Sequence, residues 1–217
     1  MKSILISFVV VFCSVCVPGS TRAFVPQNPT RVAQIAELLK EKPSAPGAHI
    51  SDRAAWERLA ATAEGALALK AARSELKGKI PDCPDSLYLE FTAPGNGNRR
   101  HYEKPYFRRT QMLRRLVVGE CLENKGRFLP KIIECIDTIC AERSWTMPAH
   151  DRDLSAFRGE RMNVDLGGGE RALSLASALA VLKGVLPSET MAKARAELER
   201  RTFAPVRNCC NPICVPQ

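Results

Sequence analysis

His150 stands in the segment Thr146-Met-Pro-Ala-His-Asp151, next to a carboxylate and close to Trp145. An imidazole beside a carboxylate can hold or move a proton near neutral pH, and an indole offers a flat apolar face, so this helix-connecting segment is the best local candidate for part of a cleft. The same histidine also fits a loop residue that fixes local structure, because one imidazole does not define a site. His49 and His101 lie in polar loops and are expected to be solvated. Tyr102 and Tyr106 can line sugar rings or pack at a helix start. Arg99, Arg100, Arg108, Arg109, Arg114 and Arg115 come as adjacent pairs. Their planar forks suit carboxylate or sulfate, and their spacing equally suits a solvated helix face.

Other constellations exclude chemistry. Gly167-Gly-Gly169 before Glu170 lacks the following Lys-Ser/Thr and a preceding strand, so it is no phosphate loop and reads as a flexible lead into a helix. Cys209-Cys210 with Cys214 has neither a second paired motif nor a neighbouring histidine, so no metal and no cofactor is assigned. Cys121 and Cys135 fall on apolar positions of two facing helices, which allows either a bridge or buried free thiols.

The elements that must position these residues read as helices. Asn28-Pro-Thr30 precedes Val32, Ile35, Leu38 and Leu39 at helical spacing, and Pro43-Ser-Ala-Pro-Gly47 ends that segment as a linker. Ser51-Asp52 caps a second helix predicted to run through Trp56, Leu59, Ala63, Leu67 and Ala71 to about Gly78. Ile80 to Phe91, with two prolines, predicts an extended connector, and Thr92 to Arg100 a loop. From Tyr106 the stripe Leu113, Leu116, Val117, Cys121 predicts a helix ended by Asn124-Lys-Gly126. Phe128, Leu129, Ile132, Ile133, Ile136, Ile139 and Cys140 then form the clearest amphipathic helix in the chain, packed antiparallel on the previous one. A loop from Trp145 to Gly169, a helix from Glu170 to Leu182 and a last helix capped by Ser188 and reaching about Phe203 complete the pattern. Nothing alternates with a period of two. The fold class is all-α, built from successive antiparallel helical hairpins.

Lys2, the apolar stretch Ile4 to Val17 and Thr21-Arg-Ala23 before Phe24 predict a signal peptide, residues 1–23, and hence a secreted or periplasmic protein. The apolar stretch is shorter than the roughly 20 residues of a spanning helix. Val15 before Cys16 argues against lipidation. The formal charge of +9 includes Lys2 and Arg22 of the signal peptide; the excess that remains favours polyanions, and for an exported chain an acidic polysaccharide is a more natural partner than nucleic acid.

Three stretches carry a family likeness: Tyr106 to Trp145, with Glu120-Cys-Leu-Glu and Gly126-Arg-Phe-Leu-Pro130; Thr146 to Glu170, with Pro148-Ala-His-Asp151 and Val164-Asp-Leu166; and Leu186 to Pro205. In order and spacing they resemble the heparinase II/III-like polysaccharide lyases. That resemblance implies an incomplete (α/α) toroid whose inner mouth forms a sugar-binding canyon, with residues 24–50 as an N-terminal helix and linker and 51–217 as the partial toroid. It also implies β-elimination on uronate-containing polysaccharide, which requires neutralising the carboxylate beside the C5 proton, a base for that proton and an acid for the leaving oxygen. Asn208-Cys-Cys-Asn-Pro-Ile-Cys214 looks like the family's Asn-Asn-Trp-Asn-Pro segment, with Cys209 and Cys210 where Asn and Trp would stand. By that likeness Asn208 and Asn211 would neutralise the carboxylate. His150 is the further catalytic candidate, and Trp145, Tyr102, Arg108 and Arg109 are the substrate-binding candidates. The close approach of this segment to Phe203-Ala-Pro205 predicts a truncated, inactive chain with an exposed apolar helix face prone to self-association. The alternative is a non-catalytic secreted helical module that binds anionic glycan or a protein partner.

Overall fold

The computed structural model describes residues 28–38, 47–93 and 98–210, with the side chains of Val32, Cys209 and Cys210 outside the description. The signal-peptide segment, Asn211 and Cys214 also lie outside it. Contacts divide the chain into residues 1–42 and residues 43–217. In the first unit, α1 (Pro29–Leu38) starts with proline at its first position, and Asn28 Oδ1 accepts from Arg31 N (3.2 Å). Both are ordinary helix-start devices.

The second unit is all-helical among the described residues. The predicted helix from Ser51 to Gly78 is in fact two, α2 (Arg53–Ala60) and α3 (Ala63–Lys77). Thr62 makes the break. Its hydroxyl donates to Leu59 O (2.8 Å) at the end of α2 and accepts from Gly65 N (3.0 Å) at the start of α3. Such local bonding competes with a continuous helix.

The connector predicted over Ile80 to Phe91 is extended only as far as Pro84, after which α4 (Asp85–Thr92) forms. A proline disfavours helix at the residue before it and not at those after, and Asp85 in the first turn suits the positive end of the helix dipole. The long helix α5 (Arg99–Glu123) begins earlier than its apolar stripe suggests and runs through Pro105. The hydrogen bond lost at Pro105 is offset by the burial of Tyr102 and Tyr106 on either side of it. Asn124, in the left-handed conformation, ends the helix.

Helix α6 (Leu129–Ala141) matches its expected face, burying Ile132, Cys135, Ile136, Ile139 and Cys140, and it packs on α5 across the short turn between them. Helix α7 (Leu166–Val181) starts four residues before the predicted Glu170, so the glycines form its first turn. They are not a flexible lead. A Cβ on Gly167 would sit 2.6 Å from Met147 Cγ, so this helix end needs glycine for close approach. Helix α8 (Ser188–Leu198) is followed by a π-helical turn, Glu199–Phe203, and α9 (Ala204–Cys210). Ser188 is its first helical residue, and Pro187 occupies the cap without a side-chain bond.

Helix α5 is the hub: α2, α3, α4, α6 and α7 all pack on it. The main core joins Leu113 and Leu116 of α5 to Phe128, Ile132 and Ile136 around α6 and to Leu175 and Leu182 around α7. Helices α3 and α5 touch so closely that a Cβ on Gly119 would lie 2.4 Å from Ala72 Cβ. A smaller cluster joins Tyr88, Tyr102, Tyr106, Met147 and Phe157. Cys83, Cys121, Cys135 and Cys140 are free thiols, so the Cys121–Cys135 bridge is not formed. No helix among the described residues is long and apolar enough to cross a membrane.

Candidate functional site

The three carboxylates at the heart of the sequence motifs each hold a turn. Glu120 is buried and accepts from Gly126 N (2.7 Å) and Phe128 N (3.0 Å), which pins the α5–α6 turn. Asp151, also buried, accepts from Ala156 N, Phe157 N and Tyr88 Oη, each at 2.8 Å. Asp165 caps α7 through Gly168 N (2.8 Å) and accepts from Met147 N (2.7 Å). The same Asp165 lies 2.9 Å from His150 Nδ1. A carboxylate on Nδ1 turns Nε2 outward, the orientation a proton-transferring histidine needs. The His150 ring is half-exposed and does not line the cavity described next.

That cavity, about 530 Å³, lies between the start of α4, the middle of α5, the end of α6 and the loop that carries Phe157. Tyr88, Tyr102 and Phe157 wall it, with ring centroids 5.4 Å (Tyr88–Tyr102) and 4.9 Å (Tyr88–Phe157) apart. Arg109 and Glu142 close it, their side chains each 9% exposed. Arg109 Nε donates to Pro81 O (2.8 Å) and Nη1 to Glu142 Oε1 (2.9 Å). No group among the described residues accepts from Arg109 Nη2, and it is not one of the fully enclosed polar atoms. Glu142 Oε1 also receives Arg171 Nη2 (2.7 Å), while Arg171 bonds Thr110 and lies 3.7 Å over the Tyr106 ring. Among the described residues, Glu142 Oε2 and Arg171 Nε have no hydrogen-bond partner. At the rim, Arg143 stacks 4.7 Å over Phe157 and lies 3.6 Å from Asp85.

The electrostatics favour an anion. Two buried guanidinia share at most one carboxylate, so Arg109, Arg171 and Glu142 carry excess positive charge inside a weakly screened environment. Burial pushes the Glu142 carboxyl above its ordinary range against the pull of Arg171 and Arg109. Burial also drives Tyr88, Tyr102 and Tyr106 far above the usual phenol range, helped at Tyr88 by its bond to Asp151. These phenols stay protonated, and Tyr88 Oη donates to Asp151 Oδ2 and Tyr106 Oη to Trp145 O, each at 2.8 Å. The Cys83 thiol on the cavity wall is pushed up to about 11 by burial.

Of the residues picked out in the sequence, the fold brings only Tyr102 and Arg109 together at the cavity. Trp145 is 3% exposed, donating from Nε1 to Ile139 O (3.0 Å) under the Arg201 guanidinium. Its ring is a core element and presents no face to a sugar. Arg108 points instead to α3, where it and Arg115 clamp Glu75 at 2.5 and 2.8 Å. Asn208 is exposed near the end of α9, and Asn211 falls outside the described residues. Sequence reasoning missed Tyr88, Glu142, Arg143 and Phe157. One signal was present: Glu142 follows an apolar helix at its negative end, where an acidic side chain is unfavourable unless paired.

No protein-family model matches the chain, and no curated protein is similar to it.

Proposed function

We propose that the chain is an exported helical module that binds acidic polysaccharide, of the heparinase II/III-like type, with the cavity between α4 and α6 taking an acidic sugar. One observation carries this reading: a nearly buried guanidinium, Arg109, for whose Nη2 no group among the described residues is an acceptor, lines a cavity walled by aromatic rings and backed by the buried Arg171 guanidinium. A carboxylate is a natural acceptor for an arginine donor, and ring edges complement the apolar face of a sugar. The successive helix pairs α5–α6 and α7–α8 and the motif carboxylates that hold their turns support a toroid-like arrangement.

Binding is favoured over turnover. Elimination needs a base with a pKa near the working pH, and the three tyrosines of the aromatic cluster are held protonated by burial. His150 is oriented for proton transfer but stands apart from the cavity. The purified chain is expected to be retained on polygalacturonate or alginate in a salt-sensitive way and to release no ultraviolet-absorbing unsaturated uronate. Product formation would overturn the binding-only reading and make His150 Nε2 the first group to substitute. Absence of retention on every uronate matrix would overturn the polysaccharide reading.

A further inference from the structure

The three buried phenols of the aromatic cluster differ in how their hydroxyls are used. Those of Tyr88 and Tyr106 are spent on Asp151 and on Trp145 O. Tyr102, 5% exposed, lines the cavity, its ring 5.4 Å from that of Tyr88 at 85° and 5.4 Å from that of Tyr106 at 32°. Among the described residues no group hydrogen-bonds Tyr102 Oη, and this oxygen is not one of the fully enclosed polar atoms. After burial itself, the groups that act on it most are Tyr106, Glu142, Cys83 and Arg171, and both Glu142 and Cys83 line the cavity. It is thus the hydroxyl end of Tyr102, and not its stem, that lies among the cavity groups. Buried polar side chains almost always find a partner, and one that does not calls for an explanation.

We propose that Tyr102 Oη is the specificity contact of the cavity, pairing with a hydroxyl of the bound acidic sugar and so distinguishing a sugar acid from a bare ring carboxylate. The proposal rests on the polysaccharide reading above and adds the group that selects the sugar. A phenol held protonated by burial both donates and accepts, and a sugar hydroxyl does the same. A ligand that fills the space without such a group takes water from Tyr102 Oη and leaves it unpaired. Sites that hydrogen-bond a ligand hydroxyl reject the analogue lacking it far more strongly than apolar pockets reject a change of one methylene. Arginine cannot make this distinction, because any carboxylate satisfies a guanidinium. The positive charge draws an anion, and the phenol selects a hydroxylated one.

The test compares trigalacturonate with cyclohexanecarboxylate, a six-membered ring that carries a carboxylate and no hydroxyl, by nuclear magnetic resonance titration of the purified chain and of its Tyr102→Phe variant. Tyr102→Phe is expected to weaken trigalacturonate about tenfold and to leave cyclohexanecarboxylate unchanged. Unchanged trigalacturonate affinity, or an equal loss for both ligands, overturns the contact while leaving polysaccharide binding intact. No binding of trigalacturonate by the unsubstituted chain removes both readings. Thermal unfolding of the same samples separates selection from structure. Because Tyr102 Oη has no protein partner among the described residues, Tyr102→Phe is expected to keep its Tm, whereas Tyr88→Phe, which loses the bond to Asp151, is expected to lower it. A Tm that falls as far in Tyr102→Phe as in Tyr88→Phe shows the hydroxyl to be a structural bond and contradicts the proposal.

Discussion

Arg109 and Glu120 show two uses of a charged side chain on the same helix. Glu120 is spent entirely on backbone N–H groups, so replacing it with alanine leaves the buried Phe128 N and the partly buried Gly126 N unpaired. Hydrogen bonds to a charged group are worth roughly 1.5–3 kcal/mol each, and we expect Glu120→Ala to lower stability by about 3 kcal/mol. For a domain of this size that is a fall in Tm of roughly 6–12 °C, read by calorimetry or circular dichroism. Arg109→Gln should instead weaken binding of a uronate oligomer by tenfold or more, about 1.4 kcal/mol per tenfold. Titration of the buried thiols gives a third expectation. Cys83 and Cys140 are pushed up to about 11 and Cys121 and Cys135 to about 12, all by burial, from an ordinary 9.0. The unfolded thiols lose their protons first as pH rises, so this contribution to stability is complete below pH 9 and is lost between pH 9 and 11–12. Tm measured across that range should fall steadily, and a flat profile would show that the thiols are not enclosed. At this scale the sequence made the motif residues conspicuous without showing that their carboxylates would be consumed by turns. A residue type announces its chemistry, but its partners are set by the tertiary fold.

At the scale of elements, helices with a continuous apolar stripe were legible, as α6 shows, because burial of one face dominates their stability. Elements decided by one local bond or by distant packing were not. The split at Thr62 depends on a single hydroxyl, and α5 crosses Pro105 because the aromatic cluster holds both flanks. The cavity was hard to see for the same reason: it is built from α4, read as extended, and from the residues just beyond α6. The π-helical turn Glu199–Phe203 adds a connection between elements. From it, Arg201 Nη2 donates to Glu142 O (2.7 Å) and Cys140 O (3.4 Å), and Nη1 to Arg143 O (3.2 Å). It thereby supplies donors to the last carbonyls around the end of α6, the segment that carries Glu142 and Arg143. Arg201→Met should lower Tm and also weaken uronate binding, although Arg201 does not line the cavity; a variant with reduced Tm and unchanged affinity would limit Arg201 to a structural role. Gly119→Val, which places side-chain atoms where α3 and α5 nearly touch, should destabilise by about 1–3 kcal/mol or more, measured by denaturant unfolding.

At the scale of the whole molecule, a basic chain of +9 pairs many of its arginines with carboxylates, as at Glu75, Glu123 and Glu170. A net positive charge raises the local concentration of polyanions at long range, while in the cavity Arg109 and the buried Arg171 behind it share the single carboxylate of Glu142. The all-helical class was legible from periodicity alone, whereas the place where a sugar would bind required the fold. The measurement that tests this account most directly is the alkylation rate of Cys83, which lines the cavity, followed residue by residue by mass spectrometry with and without a saturating uronate oligomer. The account predicts that the oligomer slows Cys83 alkylation while Cys121, Cys135 and Cys140, buried elsewhere in the core, react at unchanged rates. An unchanged Cys83 rate under conditions where the polymer retains the protein would place the sugar somewhere other than this cavity.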